Sequence, residues 1–115
     1  MIVVTNRIPV APGWGAEFEA RFSRRAHLVD GHAGFVRHEV HRPTPMRFDR
    51  ETGWEALPAD GGVYEVKTWW ARIEDFQAWT RSESFAAAHR DRPPPEMFSG
   101  KPELVIHALC AAPTG

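Results

Sequence analysis

Apolar and polar residues alternate from the start of the chain. Residues 2–10 read as a strand with Ile2, Val4 and Ile8 on one face, and Asn6 interrupts that face. Ala11-Pro12-Gly13-Trp14-Gly15 supplies turn chemistry. The period then becomes helical over 16–29, where Phe18, Phe22, Ala26 and Val29 form a stripe opposite Glu17, Glu19, Arg21, Arg24 and Arg25. A second strand is expected over 35–42, ended by Pro43, with Val36, His38 and Val40 opposed to Phe35, Arg37, Glu39 and His41. Pro45, Gly53, Pro58, Gly61 and Gly62 punctuate the next stretch, so 46–62 reads as a long irregular, mobile loop, with a small hairpin around Thr52-Gly53 its one regular feature. Nothing in the pattern explains Trp54. A third strand at 63–70 sets Tyr64, Val66, Thr68 and Trp70 against Val63, Glu65, Lys67 and Trp69. A last one at 103–110 puts Leu104, Ile106 and Ala108 on one face, and the tail 111–115 is expected to fray.

Between the third and last strands the pattern predicts two short helices in series, starting near Ile73 and ended by Pro93-Pro94-Pro95. Ser82 has the side chain of an N-cap, and Glu83 suits the first turn of the second helix. Phe85 and His89 are one helical turn apart and share a face with Ala88 beside them. In one unbroken helix Trp79 would be rotated well away from His89; a break at Ser82 lets both reach one cavity. A flat indole, a lone imidazole and three consecutive alanines would suit a broad planar ligand whose central atom is bound by nitrogen.

The element order is strand, helix, strand, strand, helix pair, strand. That is the α+β, ferredoxin-like β-α-β-β-α-β arrangement, with an antiparallel sheet covered by helices on one face. Four strands with apolar alternation and one helical layer lead us to expect a homodimer joined through the open sheet face. The 115 residues make one domain, and a net charge of −1 gives no reason to expect nucleic acid. Cys110 stands alone, so no internal disulfide can form, and no apolar run has the length or flanks of a signal peptide or membrane span. A soluble, cytoplasmic domain is the expectation.

No phosphate loop, HxxxH or CxxC spacing, or nucleophile elbow appears in the sequence. The six histidines are scattered, and His38 and His41 read as surface residues on opposite faces of one strand. Taken alone, Trp79 at helical spacing from Phe76 reads as core, and His89 as a solvated helix end. The wider pattern is more specific. Thr5-Asn6-Arg7, Glu19-Ala20-Arg21-Phe22 with Arg24-Arg25-Ala26-His27, Gly34-Phe35, Phe76-Gln77-Ala78-Trp79 and Phe85-Ala86-Ala87-Ala88-His89 together resemble the antibiotic-biosynthesis-monooxygenase superfamily. The resemblance is strongest to its IsdG-type haem-degrading monooxygenases, whose asparagine, tryptophan and histidine fall on Asn6, Trp79 and His89. It spans nearly the whole chain; the longer 46–61 stretch departs from it.

The resemblance implies a dimeric α+β barrel with one haem per protomer, haem being both cofactor and substrate. His89 would ligate the iron, Trp79 would press the ring out of plane, and Asn6 would serve the oxygen side. Phe22 and Phe85 would pack on haem, while Arg24, Arg25 and His27 are candidates for its propionates. O2 and an external electron donor, a reductase or a small reductant, would complete the reaction. Two other readings remain: a cofactor-independent monooxygenase acting on a polycyclic aromatic, and a haem-binding or delivery protein without turnover.

Overall fold

The computed structural model describes residues 1–58 and 60–111, with every side chain among them except that of Ala26. The fraying expected of 112–115 and the stripe position Ala26 lie outside the described residues. The elements are β1 (Ile2–Val10), α1 (Gly15–Arg25), β2 (Phe35–His41), β3 (Met46–Asp49), β4 (Gly53–Ala56), β5 (Gly62–Trp70), α2 (Ile73–Thr80), α3 (Glu83–Ala88) and β6 (Glu103–Ala108). A four-stranded antiparallel sheet has the order β2-β5-β1-β6, as the ferredoxin-like expectation requires. The helix expected over 16–29 is shorter. It gives way to a 3-10 turn at Ala26–Leu28 that aims Val29 into the core.

Strand register fixes what faces the helices. Ile106, Val4, Thr68 and His38 form one cross-strand row; Leu104, Asn6, Val66 and Val40 form the next. The core beneath the helices is in two clusters. One holds Ile8, Val10, Phe18, Tyr64 and Met97, and the other Val4, Val29 and Trp70. Trp70 is fully buried and gathers Phe35, Phe76 and Trp79, with ring centroids 5.5, 5.7 and 5.9 Å away.

The opposite sheet face differs from the Val/Ile-rich surface expected. Val3, Val63, Val105 and Trp69 are interspersed with charge on that face. Arg7 pairs with Glu65 at 3.3 Å, Lys67 donates to Thr5 Oγ1 at 2.9 Å, and Arg37 lies over Trp69 at 4.2 Å. The continuous apolar alternation therefore belongs chiefly to the helix-covered face.

The small hairpin expected around Thr52-Gly53 is present, within a stretch otherwise expected to be irregular. β3 and β4 form a separate two-stranded hairpin, with the Asp49 carboxylate accepting from the Glu51 and Thr52 amides in the turn and Gly53 at φ +84°. Strands of four residues are too short to show a period, and the turn rests on a side chain rather than on a Pro-Gly pair. Trp54 packs at a tilt against Phe48, ring centroids 5.1 Å apart, and is 70% exposed, so it covers none of the core.

Trp70→Ala should cost about 3–5 kcal/mol, because it empties the hub of the second cluster. Urea unfolding of the two proteins measures that loss directly.

Candidate functional site

A cavity of about 700 Å³ lies between sheet and helices, lined by members of both core clusters. Pockets of roughly 300–1,000 Å³ take cofactors and drug-sized ligands. Its sheet wall presents Val4, Asn6, Ile8, Val66, Thr68 and His38. Facing them across the cavity are Phe22 and Arg25 of α1, Phe76 and Trp79 of α2, and Phe85 and Ala88 of α3, with His89 at the α3 end. Asn6, Trp79, His89, Phe22, Arg25 and Phe85 thus meet around one space.

Ser82 makes that convergence possible. Its hydroxyl donates to the Trp79 carbonyl at 2.6 Å and accepts from the Phe85 amide at 3.1 Å, so one side chain closes α2 and starts α3. The change of direction sets Trp79 and Phe85 edge to face at 4.9 Å, and Phe85 against the His89 ring at 4.1 Å. His89 Nδ1 lies 2.8 Å from the Phe85 carbonyl oxygen. A carbonyl can only accept, so Nδ1 carries a proton, and in the neutral imidazole that leaves the Nε2 lone pair for a ligand.

Asn6 makes no side-chain hydrogen bond among the described residues, and the Trp79 indole N–H is buried without an acceptor. A strand asparagine is most simply satisfied by backbone; among the described residues this one is not.

The cations sort differently from the sequence reading. Arg24 is exposed and does not line the cavity, and exposed His27 pairs with Asp30 at 3.1 Å. Arg25 does line it, half-buried, with Nε donating at 2.6 Å to the Ala88 carbonyl at the end of α3. Burial is the main influence lowering the Arg25 pKa from its ordinary value. Arg21 and Arg92, which the sequence did not single out, line the same cavity. Helical periodicity located the cationic flank of α1, yet could not tell Arg21 from Arg24, because the choice depends on where the chain returns after α3. His38 was read as surface and also lines the cavity; its place between Val36 and Val40 on one strand face was the available signal.

A second cavity, about 410 Å³, adjoins the first and is bordered by Glu19, Ser23, Arg42 and Tyr64. Tyr64 donates to Glu19 Oε2 at 2.6 Å and Arg42 Nε to the same oxygen at 2.9 Å. Arg42, then Tyr64, hold the Glu19 carboxyl below its usual range, while burial and the Glu19 contact push the Tyr64 hydroxyl up to about 12.

The donor set limits what the larger cavity can hold. A bare ion needs several protein ligands. No group of three or more His, Cys, Asp or Glu is placed to supply them among the described residues. An iron already held by four porphyrin nitrogens needs only one imidazole, and flat aromatic walls with arginines at the rim suit the rest of such a molecule. The residues present fit haem.

Fold and cavity together define a ferredoxin-like domain built to enclose a small planar molecule. Residues 1–91 match the family described as antibiotic biosynthesis monooxygenase, and the chain belongs to that family. Among its relatives, a staphylobilin-producing haem oxygenase of Staphylococcus haemolyticus is 36% identical over 92 residues, 80% of this chain and 76% of that one. A mycobilin-producing haem oxygenase of Mycobacterium tuberculosis is 36% identical over 94 residues, with the same shares. The solved structure of the haem degrader MhuD from Mycobacterium tuberculosis, with two haems in its active site, aligns with a TM-score of 0.73 at 29% identity. That alignment covers 99% of this chain and 100% of MhuD. The cofactor-independent oxygenase SnoaB of Streptomyces nogalater shares the fold, with a TM-score of 0.63 at 23% identity over 96% of this chain and 94% of its own.

Arg25→Ala should lower stability by about 1–2 kcal/mol, since it strips a charge-assisted hydrogen bond from the α3 carboxyl end. Arg24→Ala should stay within about 0.5 kcal/mol of wild type, as surface substitutions do. Parallel thermal melts read the difference.

Proposed function

We propose that the protein is a haem-degrading monooxygenase, which uses O2 and external electrons to open the porphyrin ring and release iron. One observation carries this reading. The His89 imidazole, its Nδ1 tied to Phe85, lines a cavity whose opposite wall presents the Asn6 amide, unpartnered among the described residues. The named relatives are haem oxygenases and support the same conclusion.

His89 would hold the iron, and the hydrogen bond to Phe85 keeps its ring oriented. Bound haem supplies the iron at which O2 is reduced and is also the carbon framework that is oxidised. Trp79, wedged between Trp70 and Phe85, would pack its indole against the bound ring and tune its reactivity. Asn6 would offer its amide N–H to the oxygen side of the reaction from the sheet wall. Phe22 and Phe85 pack on the ring and exclude water. Arg21, Arg25 and Arg92 offer guanidinium groups to its carboxylates, in place of the Arg24 of the sequence reading. The working unit is a homodimer joined through the open sheet face, whose alternating charges can pair with their own copy about a two-fold axis. Electrons come from a separate reductase or small reductant, and the setting is the cytoplasm.

Hemin and a reductant under air test the reading. Loss of the Soret band with new bilin-like absorption and iron release is expected. A stable Soret band would make this a haem carrier. No Soret perturbation would leave the cofactor-independent oxygenation of a polycyclic aromatic.

Trp79→Ala and Asn6→Ala should still bind hemin, because the coordinate bond and apolar walls remain. Their turnover should fall about tenfold or more, since contacts made along the reaction path lower rate more than affinity. Trp79→Phe should keep more activity than Trp79→Ala. Steady-state assays with melts alongside distinguish this from unfolding.

A further inference from the structure

Resting on the haem-degrading reading, we infer that His38 delivers protons to the reaction and that the smaller cavity connects it to solvent. Turning a ring C–H into C–OH with O2 releases the second oxygen atom as water. Each such step takes two electrons from an external one-electron donor and two protons from solvent. Electrons cross protein without a bonded path, whereas protons need groups that can give and take them. The sheet wall offers three polar side chains: Asn6, Thr68 and His38. An amide does not exchange protons as an acid near neutrality. Thr68 Oγ1 accepts from the Trp70 indole at 2.9 Å, and a hydroxyl is too weak an acid. Imidazole alone changes charge in that range.

His38 is placed for the task. Strand register sets it beside Thr68, and it stacks on Phe35 with centroids 6.2 Å apart and planes at 28°. Its ring nitrogens make no hydrogen bond among the described residues. His38 and Phe22 are the two residues that line both cavities, and phenylalanine carries no proton. The smaller cavity, about 410 Å³, has room for several waters at roughly 30 Å³ each. Ser23, Tyr64 and the paired Glu19 and Arg42 give those waters hydrogen-bonding partners.

The charges around His38 are consistent with the role. Glu39, on the same strand, borders the smaller cavity, and its carboxylate is engaged by His41 at 2.8 Å and Arg37 at 3.4 Å. On α1, Glu19 is neutralised by Arg42, and Arg21 and Arg25 are engaged by Asp91 and the Ala88 carbonyl. Tyr64 on β5 stays protonated well above neutral pH. From beyond α3 the larger cavity adds His89, Asp91 and Arg92. His38 is therefore the group that can lose a ring proton toward the sheet side of the cavity and regain one from water in the smaller space.

His38→Phe keeps the aromatic packing and removes the titratable group; His38→Gln keeps hydrogen bonding but cannot carry charge. Both are compared with wild type for hemin affinity by Soret titration, for turnover against pH, and for turnover in H2O and D2O. We expect hemin Kd to change by less than about threefold, with kcat down roughly a hundredfold in both variants. The solvent isotope effect should grow, and the limb of the pH profile due to an imidazole should disappear. Wild-type turnover in either folded variant, or an unchanged isotope effect, would overturn the inference and leave the haem-degrading reading intact. Hemin affinity falling in step with turnover would make His38 a substrate contact and overturn it too. Wild-type protein that fails to bind hemin would overturn both.

Discussion

Ser82 holds two helix ends with one hydroxyl, donating to the Trp79 carbonyl and accepting from the Phe85 amide. Without that double contact α2 and α3 would run on as one helix. Trp79 and His89, ten residues apart, would then point in different directions. With it, the chain turns beneath the sheet and a cavity opens between two core clusters that a straight helix would press together. A cap of this kind contributes only about 1 kcal/mol to stability, but here it decides which side chains share a space.

The cavity then takes its chemical character from three independent constraints. Register in the sheet sets Asn6 and His38 on the wall across from the helices. The 3-10 turn after α1 brings that segment back against α3, where Arg25 satisfies the Ala88 carbonyl. The last turn of α3 fixes the His89 tautomer through its own backbone. None of these contacts needs the ligand in order to form, so the donors and flat walls are set before anything binds. Such preorganisation limits the ordering that binding would otherwise have to offset.

Much of this was legible in the sequence because it depended on local chemistry. The period of β1 gave its bounds, the serine before an acidic first turn gave the helix break, and the family motifs pointed to Asn6, Trp79 and His89. What stayed hidden depended on distant parts of the chain. Arg21 and Arg92 reach the cavity, and Arg24 does not, because of how α1 meets the segment after α3. His38 looked like a surface residue until the second cavity appeared beside it. The charges on the open sheet face were visible one by one, but only strand register shows that they interlace. The β3–β4 hairpin was legible only as a turn at Thr52-Gly53, because its strands are too short to display a period.

The central claim is that His89, held by Phe85, is the residue that binds iron. Resonance Raman spectra of the ferrous hemin complex test it most directly, because an iron–histidine stretch reports the axial ligand itself. The band should be present in wild-type protein, shift with the hydrogen bond to Nδ1, and be lost in His89→Ala while the variant remains folded. The same band persisting in His89→Ala would place the ligand elsewhere and contradict the account.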